Sequence, residues 1–311
     1  AVKMKSNEKI QLAMLINTSD RSAVLEEVRR IFLMSYDSES FLPVENAFAI
    51  ICSLFDGKFP GYRKCNTEYH NLTHTLDALL ATARLMDGRS AATDKFDVKI
   101  AVNLFLAALL HDTGYIQEDW DTEGTGAKYT KIHVERSIDF VEQNAANFHL
   151  SSEDVEMISS LILCTGLKSD SCDRLQGNLF EAGAILGTAD LLGQMSDRAY
   201  LEKLLFLYYE FREAAIDGFN TTFDILKNTL TFYEATINRF EKQLKGCYKF
   251  AHDYFRIRHN IDENLYMTAI ENQMHYLGEI IDDETTNFRN KLKRLDIEKM
   301  EMDYTISKQY L

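Results

Sequence analysis

RSAVLEEVRRIFLMS, residues 21–35, carries the reading of the fold. Val24, Leu25, Val28, Ile31 and Phe32 recur at three- and four-residue steps, which places them on one stripe of an α-helix. Asp20 stands just before the stripe, where a carboxylate can accept the free amides of a first turn. Outward from this stretch the same period persists. Pro43 fits the first turn of a second helix that carries AFAIICSLF and stops at Asp56-Gly57. GKFPGYRKCN (57–66) is the first clear loop, and helices are predicted at about 67–87, 94–112, 130–147, 151–164 and 176–193. Beyond residue 197 the pattern is long and helical, including YLEKLLFLYYEFREAAI (200–216), apolar on more than one face, and a more polar tail, 287–311, read as a terminal helix.

Composition agrees with this periodicity. Pro43 and Pro60 are the only prolines in 311 residues, and glycine is scarce at 14. An all-β chain needs more of both at its turns, so the expected class is all-α, long helices with short connections. The expected organisation is N-terminal helices (1–58), a catalytic core (59–217) and a C-terminal helical extension (218–311), read together as one structural domain.

Charge and cysteines exclude several functions. Lys and Arg number 34 against 48 Asp and Glu, a net charge of -14, which argues against nucleic-acid polymers and anionic membrane surfaces. An anionic small substrate remains compatible, because one bound cation outweighs a distant negative field. No apolar run reaches the length of a membrane span, and the first residues lack the apolar stretch of a signal peptide. Cys52, Cys65, Cys164, Cys172 and Cys247 contain no CxxC pair and are read as reduced thiols of a cytoplasmic protein.

The chemistry-bearing residues gather in three places. YHNLTHTLDA (69–78) sets His70, His74 and Asp77 at helical spacing, where all three could share one face. ALLHDTGY (108–115) puts His111 and Asp112 at the end of an apolar run, where a polar pair is costly unless something satisfies it. GAILGTADLLGQM (183–195) isolates Asp190 among uncharged residues. His74, His111, Asp112 and Asp190 together would form a two-His, two-Asp site drawn from three helices, suited to a divalent ion such as Zn, Mn, Mg, Fe or Ni.

Tyr69-His70-Asn71-Leu72-Thr73-His74-Thr75-Leu76-Asp77 resembles the YHNxxHxxD signature of the class I cyclic nucleotide phosphodiesterases. His111-Asp112 and Ala189-Asp190-Leu191 resemble the next two landmarks of their catalytic domain, a branch of the helical HD superfamily of metal-dependent phosphohydrolases. The resemblance covers roughly residues 60–195. It implies an HD/phosphodiesterase-like helical bundle in which His74, His111, Asp112 and Asp190 bind a metal and His70 is the general acid. The family carries a further His four residues after the HD histidine. This chain has Tyr115 there, so the expectation is one metal ion with a second optional and His133 as its ligand. Asp77 is expected to hold a ligand histidine by its other nitrogen. Tyr69, Asn71, Tyr115, Glu123 and Lys128 are candidate substrate contacts, Asn71 equally well a helix cap. The stretch 113–129, TGYIQEDWDTEGTGAKY, is read as a largely solvated loop overhanging the metal.

The implied activity is hydrolysis of a small phosphodiester with a nucleotide-like, cyclic or open, organic part. The alternatives are a phosphomonoesterase or nucleotidase of the same superfamily, and a non-catalytic helical ligand-binding or scaffold protein with a structural metal. The aromatic series Tyr208, Tyr209, Phe211, Phe219, Phe223, Phe232 and Tyr233 motivates the last, as core or as the interface of a homodimer formed through the C-terminal helices.

Overall fold

A computed structural model describes residues 10–166, 172–299 and 301–302. The chain is all-α, as the periodicity requires, and no strand forms among the described residues. Helix α1 (Arg21–Phe32) begins on Asp20, whose carboxylate accepts from the amides of Ser22 and Ala23. Helix α2 (Leu42–Phe55) takes Pro43 in its first turn and ends at Asp56, with Gly57 following in the left-handed region at φ 72°.

The centre of the molecule is a pair of helices, α3 (Leu72–Ala92) and α7 (Gly177–Ser196). Every residue of α3 from His74 to Arg89 is buried, so the helix has no solvent face there and its polar side chains must find partners inside the molecule. The pair can approach closely because of Gly193. A Cβ there would stand 3.0 Å from the backbone of Asp77 and Ala78. This crossing brings Asp190, three residues earlier on α7, beside the first turn of α3.

Around the pair lie α4 (Val98–Leu110), α5 (His133–Asn144) and α6 (Ser152–Ile162) on one side. On the other are α8 (Tyr200–Glu213), α9 (Thr222–Lys242), α10 (Phe250–His259) and α11 (Leu265–Asp282). Helices α1 and α10 both pack on α3 and α11 packs on α7, so one continuous hydrophobic cluster runs from Val24 to Ile297. Arg84 of α3 is fully buried against the rings of Tyr254, Phe255 and Tyr266 and donates to the Tyr266 hydroxyl at 3.0 Å. Asp87 accepts a bidentate pair of bonds from Arg258, both 2.8 Å. No helix among the described residues is long and apolar enough to cross a membrane.

Three expectations need correcting. The stretch 113–129 is not a solvated loop. It forms two short 3-10 turns, Thr113–Tyr115 and Gly126–Tyr129, and buries Tyr115, Ile116, Gln117, Asp121 and Ala127, because Asp121 accepts from Lys128 and Tyr129. The five cysteines are not all thiols. Cys164 and Cys172 pair as a disulfide with Cα atoms 4.8 Å apart, while Cys52, Cys65 and Cys247 stay free. Their eight-residue spacing carries no signal; Gly183 leaves the room, since a Cβ there would stand 2.5 Å from Cys164 Sγ and 3.2 Å from Cys172 Sγ. The polar tail holds a 3-10 turn, Phe288–Asn290, and helical residues at 297–299, 301 and 302; its last residues, 303–311, lie outside the described residues.

Candidate metal centre and cavity

The three sequence clusters meet at one end of the central helix pair. His74 lies in the first turn of α3, His111 caps the C-terminus of α4 with Asp112 next to it, and Asp190 comes from the middle of α7. His74 Nε2 stands 3.0 Å from Asp190 Oδ1 and 3.2 Å from Asp112 Oδ2. His111 Nε2 stands 3.4 Å from both Asp112 Oδ2 and His74 Nε2, and 3.6 Å from Asp190 Oδ1. His74, His111 and Asp190 can each turn one donor atom to a common ion, and Asp112 Oδ2 stands beside both imidazoles.

The local structure aims these donors inward. His111 Nδ1 donates to the Ala108 carbonyl at 2.9 Å, so in the neutral ring Nε2 carries the lone pair and can ligate. His74 Nδ1 is buried with no hydrogen-bond partner, and Asp112 Oδ2 is buried facing the two imidazole Nε2 atoms. A carboxylate oxygen buried at such a crossing is costly unless a cation or a proton on those imidazoles satisfies it, so the donor set fits a metal ion.

The electrostatics say the same. Burial lowers the proton affinity of the His74 imidazole, but its hydrogen bonds to Asp112 and Asp190 outweigh this and push it up to about 10. His111 is raised too, its burial outweighed by the charges of Asp112 and Asp190. Burial raises Asp112 and Asp190, yet the two imidazoles more than reverse it and hold both below the usual carboxylate range. With no metal, a proton on the imidazoles takes the place of the cation.

His70 is placed differently from expectation. Asn71 is the N-cap of α3, its Oδ1 accepting from the amides of Thr73 and His74 and its Nδ2 donating to the Glu68 carbonyl, so the helix starts after His70. His70 therefore shares no helical face with His74, although their rings are 6.0 Å apart. It is held by Glu210, whose Oε2 lies 2.6 Å from His70 Nδ1 and whose Oε1 accepts from the Tyr69 amide at 2.7 Å. Glu210 is 3% exposed and sits on α8. The sequence reading missed it; the signal available was an acidic residue within the aromatic run of 200–216.

Tyr115, in the place of the absent histidine, is sandwiched between two imidazoles. Its ring stacks on His70 at 4.3 Å and on His133 at 4.7 Å. His133 Nδ1 donates to the Thr130 carbonyl at 2.7 Å, and its Nε2 faces Asp112 Oδ1 at 3.8 Å. Burial lowers the His133 proton affinity, against the charge of Asp112, which raises it. Gln194 is a second residue the sequence did not single out. It accepts from the Tyr69 hydroxyl at 2.8 Å and donates to Asp190 Oδ1 at 3.4 Å, tying the segment before α3 to the α7 carboxylate.

The remaining candidates fall elsewhere. Asp77 makes no bond to His74 Nδ1; the two line a small cavity of about 10 Å³, the size of one water, with Tyr69, Gln194, Asp197 and Lys203. Burial and the charge of Asp197 push Asp77 up to about 7. Asn71 is spent on capping. Lys128 donates to Asp121 and to the Glu123 carbonyl, and Glu123 is exposed; neither lines the cavity over the metal cluster.

That cavity has a volume of about 600 Å³, within the usual range for small-molecule sites. His70, His74, Asp112, Tyr115, His133 and Asp190 line one end, and α8, α9 and the turn between them line the other. Phe211, Phe219 and Phe232, read from sequence as core or dimer interface, face this cavity instead.

A family model described as Npun_R2479-like matches residues 117–273, a span that includes His133, Asp190 and Glu210 and starts after the His111-Asp112 pair. No curated protein matches the sequence. With half of its length accounted for in this way, the chain belongs to the Npun_R2479-like family.

Proposed function

We propose that the protein is a metal-dependent phosphohydrolase that cleaves a phosphodiester, with a divalent ion held by His74, His111, Asp112 and Asp190 and with His70 as general acid. The observation that supports this best is the meeting of two imidazoles with Asp112 and Asp190, each carboxylate 3.0–3.6 Å from both rings, beside an imidazole anchored on a buried carboxylate. The reading agrees with the resemblance to the HD superfamily and its cyclic nucleotide phosphodiesterases. A bound divalent ion polarises a phosphoryl oxygen and lowers the pKa of water.

The chain's own residues perform the rest. Glu210 holds His70 by Nδ1 and fixes the ring, so Nε2 is the atom that would deliver a proton to the departing alkoxide. Tyr115 fixes the plane of the His70 ring, and Gln194 fixes the Asp190 carboxylate. A second ion would be faced by Asp112 Oδ1 and His133 Nε2, two donors against four, so one resident ion is the simpler arrangement.

The test separates binding from turnover. Asp112→Ala is expected to lose both the metal and the hydrolysis of phosphate diesters. His70→Asn is expected to keep the metal while losing turnover by about 10²–10⁴-fold, the usual worth of a general acid. His70→Asn turning over as fast as the wild type would remove His70 from the mechanism.

A further inference from the structure

The metal cluster accounts for one end of the cavity and leaves the larger part without a role. At that other end Leu204, Leu207, Phe211, Ile216, Phe219 and Phe232 form a continuous apolar wall. All but Leu204 are only half-buried, although nothing polar lies in their chemistry to justify contact with water. Side chains of this kind usually complete a core; here they surround a void.

The wall is also held in place. Phe211 and Phe219 contact each other with ring centroids 5.5 Å apart, and Lys131 ties the intervening turn by donating to the Ala215 carbonyl at 2.6 Å. Glu213 accepts from the backbone and hydroxyl of Thr125, fixing the end of α8 to the 113–129 segment.

Two polar side chains that line the same side, Asn228 and Thr229, spend donors on the backbone of their own helix. The Thr229 hydroxyl donates to the Ile225 carbonyl and the Asn228 amide donates to the Asp224 carbonyl, both at 2.8 Å. Gln194 uses both ends of its amide within the site. A nucleobase brings several donors and acceptors that must find partners when buried. This wall answers an apolar group far better.

We propose that the ester cleaved here carries an apolar organic group, an alkyl, isoprenoid-like or aryl chain, which lies against the α8–α9 wall while its phosphate sits at the metal cluster. The proposal rests on the phosphohydrolase reading for its phosphate end and on the wall alone for its apolar end.

The test uses the Mn²⁺-loaded full chain and a series of n-alkyl p-nitrophenyl phosphate diesters, from methyl to octyl, with 3′,5′-cyclic nucleotides beside them. With the leaving group constant, kcat/KM is expected to rise about fourfold per added methylene, the worth of a buried CH₂, until the wall is covered. Phe211→Ser and Phe219→Ser should flatten that rise. In parallel, n-octylphosphonate should bind more tightly than methylphosphonate by calorimetry, and the same two variants should erase the difference. Turnover that is flat in chain length, or fastest with cyclic nucleotides, would overturn the proposal while the phosphohydrolase reading stands. No turnover of any ester, with n-octylphosphonate still preferred, would overturn the phosphohydrolase reading and keep the apolar site. Equal binding of the two phosphonates would overturn the apolar site whatever the turnover.

Discussion

The two ends of the cavity are built on opposite principles. At the α3–α4–α7 end, two imidazoles stand 3.4 Å apart with Asp112 and Asp190 each within 3.0–3.6 Å of both, largely shut off from solvent. At the α8–α9 end, apolar side chains are left half-exposed around open space. The first arrangement is unfavourable without a cation, the second without an apolar guest. Each end departs from ordinary packing in the direction of the ligand it would hold, and this pairing of opposite departures points to a ligand that is charged at one end and oily at the other.

The difference predicts unequal responses to mutation. The largest concerns His70, the proposed general acid. Glu210→Gln removes the charge that holds His70 and is expected to lower turnover by about a hundredfold with the metal retained, the upper range for a partner behind a catalytic group. Unchanged kcat would mean that His70 does not need its anchor.

Next comes the helix crossing that assembles the polar end. Gly193→Val would push α7 from the backbone of Asp77 and Ala78 and is expected to cost about 2 kcal/mol in denaturant unfolding. Phe219→Ala at the apolar end should cost less than about 1 kcal/mol, since that ring supports a void rather than a packed core. Equal costs would show that the wall is part of the core.

The smallest effect is pH-dependent. Asp77, pushed up to about 7 by burial and by Asp197, is protonated in the folded chain at pH values where it ionises in the unfolded chain. Its contribution to stability is therefore fully present below about pH 4 and is lost as pH rises through about 7. Asp77→Asn should stabilise the protein by about 1 kcal/mol at pH 8, with the gain vanishing near pH 4. A gain that persists at pH 4 would assign the effect to something other than the carboxylate.

Legibility in the sequence divides along the same line. Asp20, Pro43 and the 3.6-residue stripe of Val24, Val28, Ile31 and Phe32 are local signals, and the helices they predict are present. His111-Asp112 and Asp190 were visible because a charge inside an apolar helix has few explanations. Glu210 obeys the same rule, but the aromatic run around it has no regular polar face against which to stand out. The position of His70 was misread because spacing alone does not reveal that Asn71 ends the helix by capping it. The cavity could not be read at all. A wall residue such as Phe211 and a core residue such as Phe206 share one helix and one chemistry, and only the packing of α8 against α9 separates them.

The central claim is that His74, His111, Asp112 and Asp190 hold one divalent ion, and titration of the purified, chelator-treated chain with Mn²⁺ or Zn²⁺ by calorimetry tests it most directly. The wild type is expected to take up one ion per chain at the strong site. Because the His74 imidazole of the metal-free chain is pushed up to about 10, binding must displace a proton, and affinity should fall about tenfold for each pH unit lowered between 9 and 7. Asp190→Asn and His111→Ala should abolish the strong site. A wild-type chain that binds no ion, or variants that bind it as well as the wild type, would contradict the account.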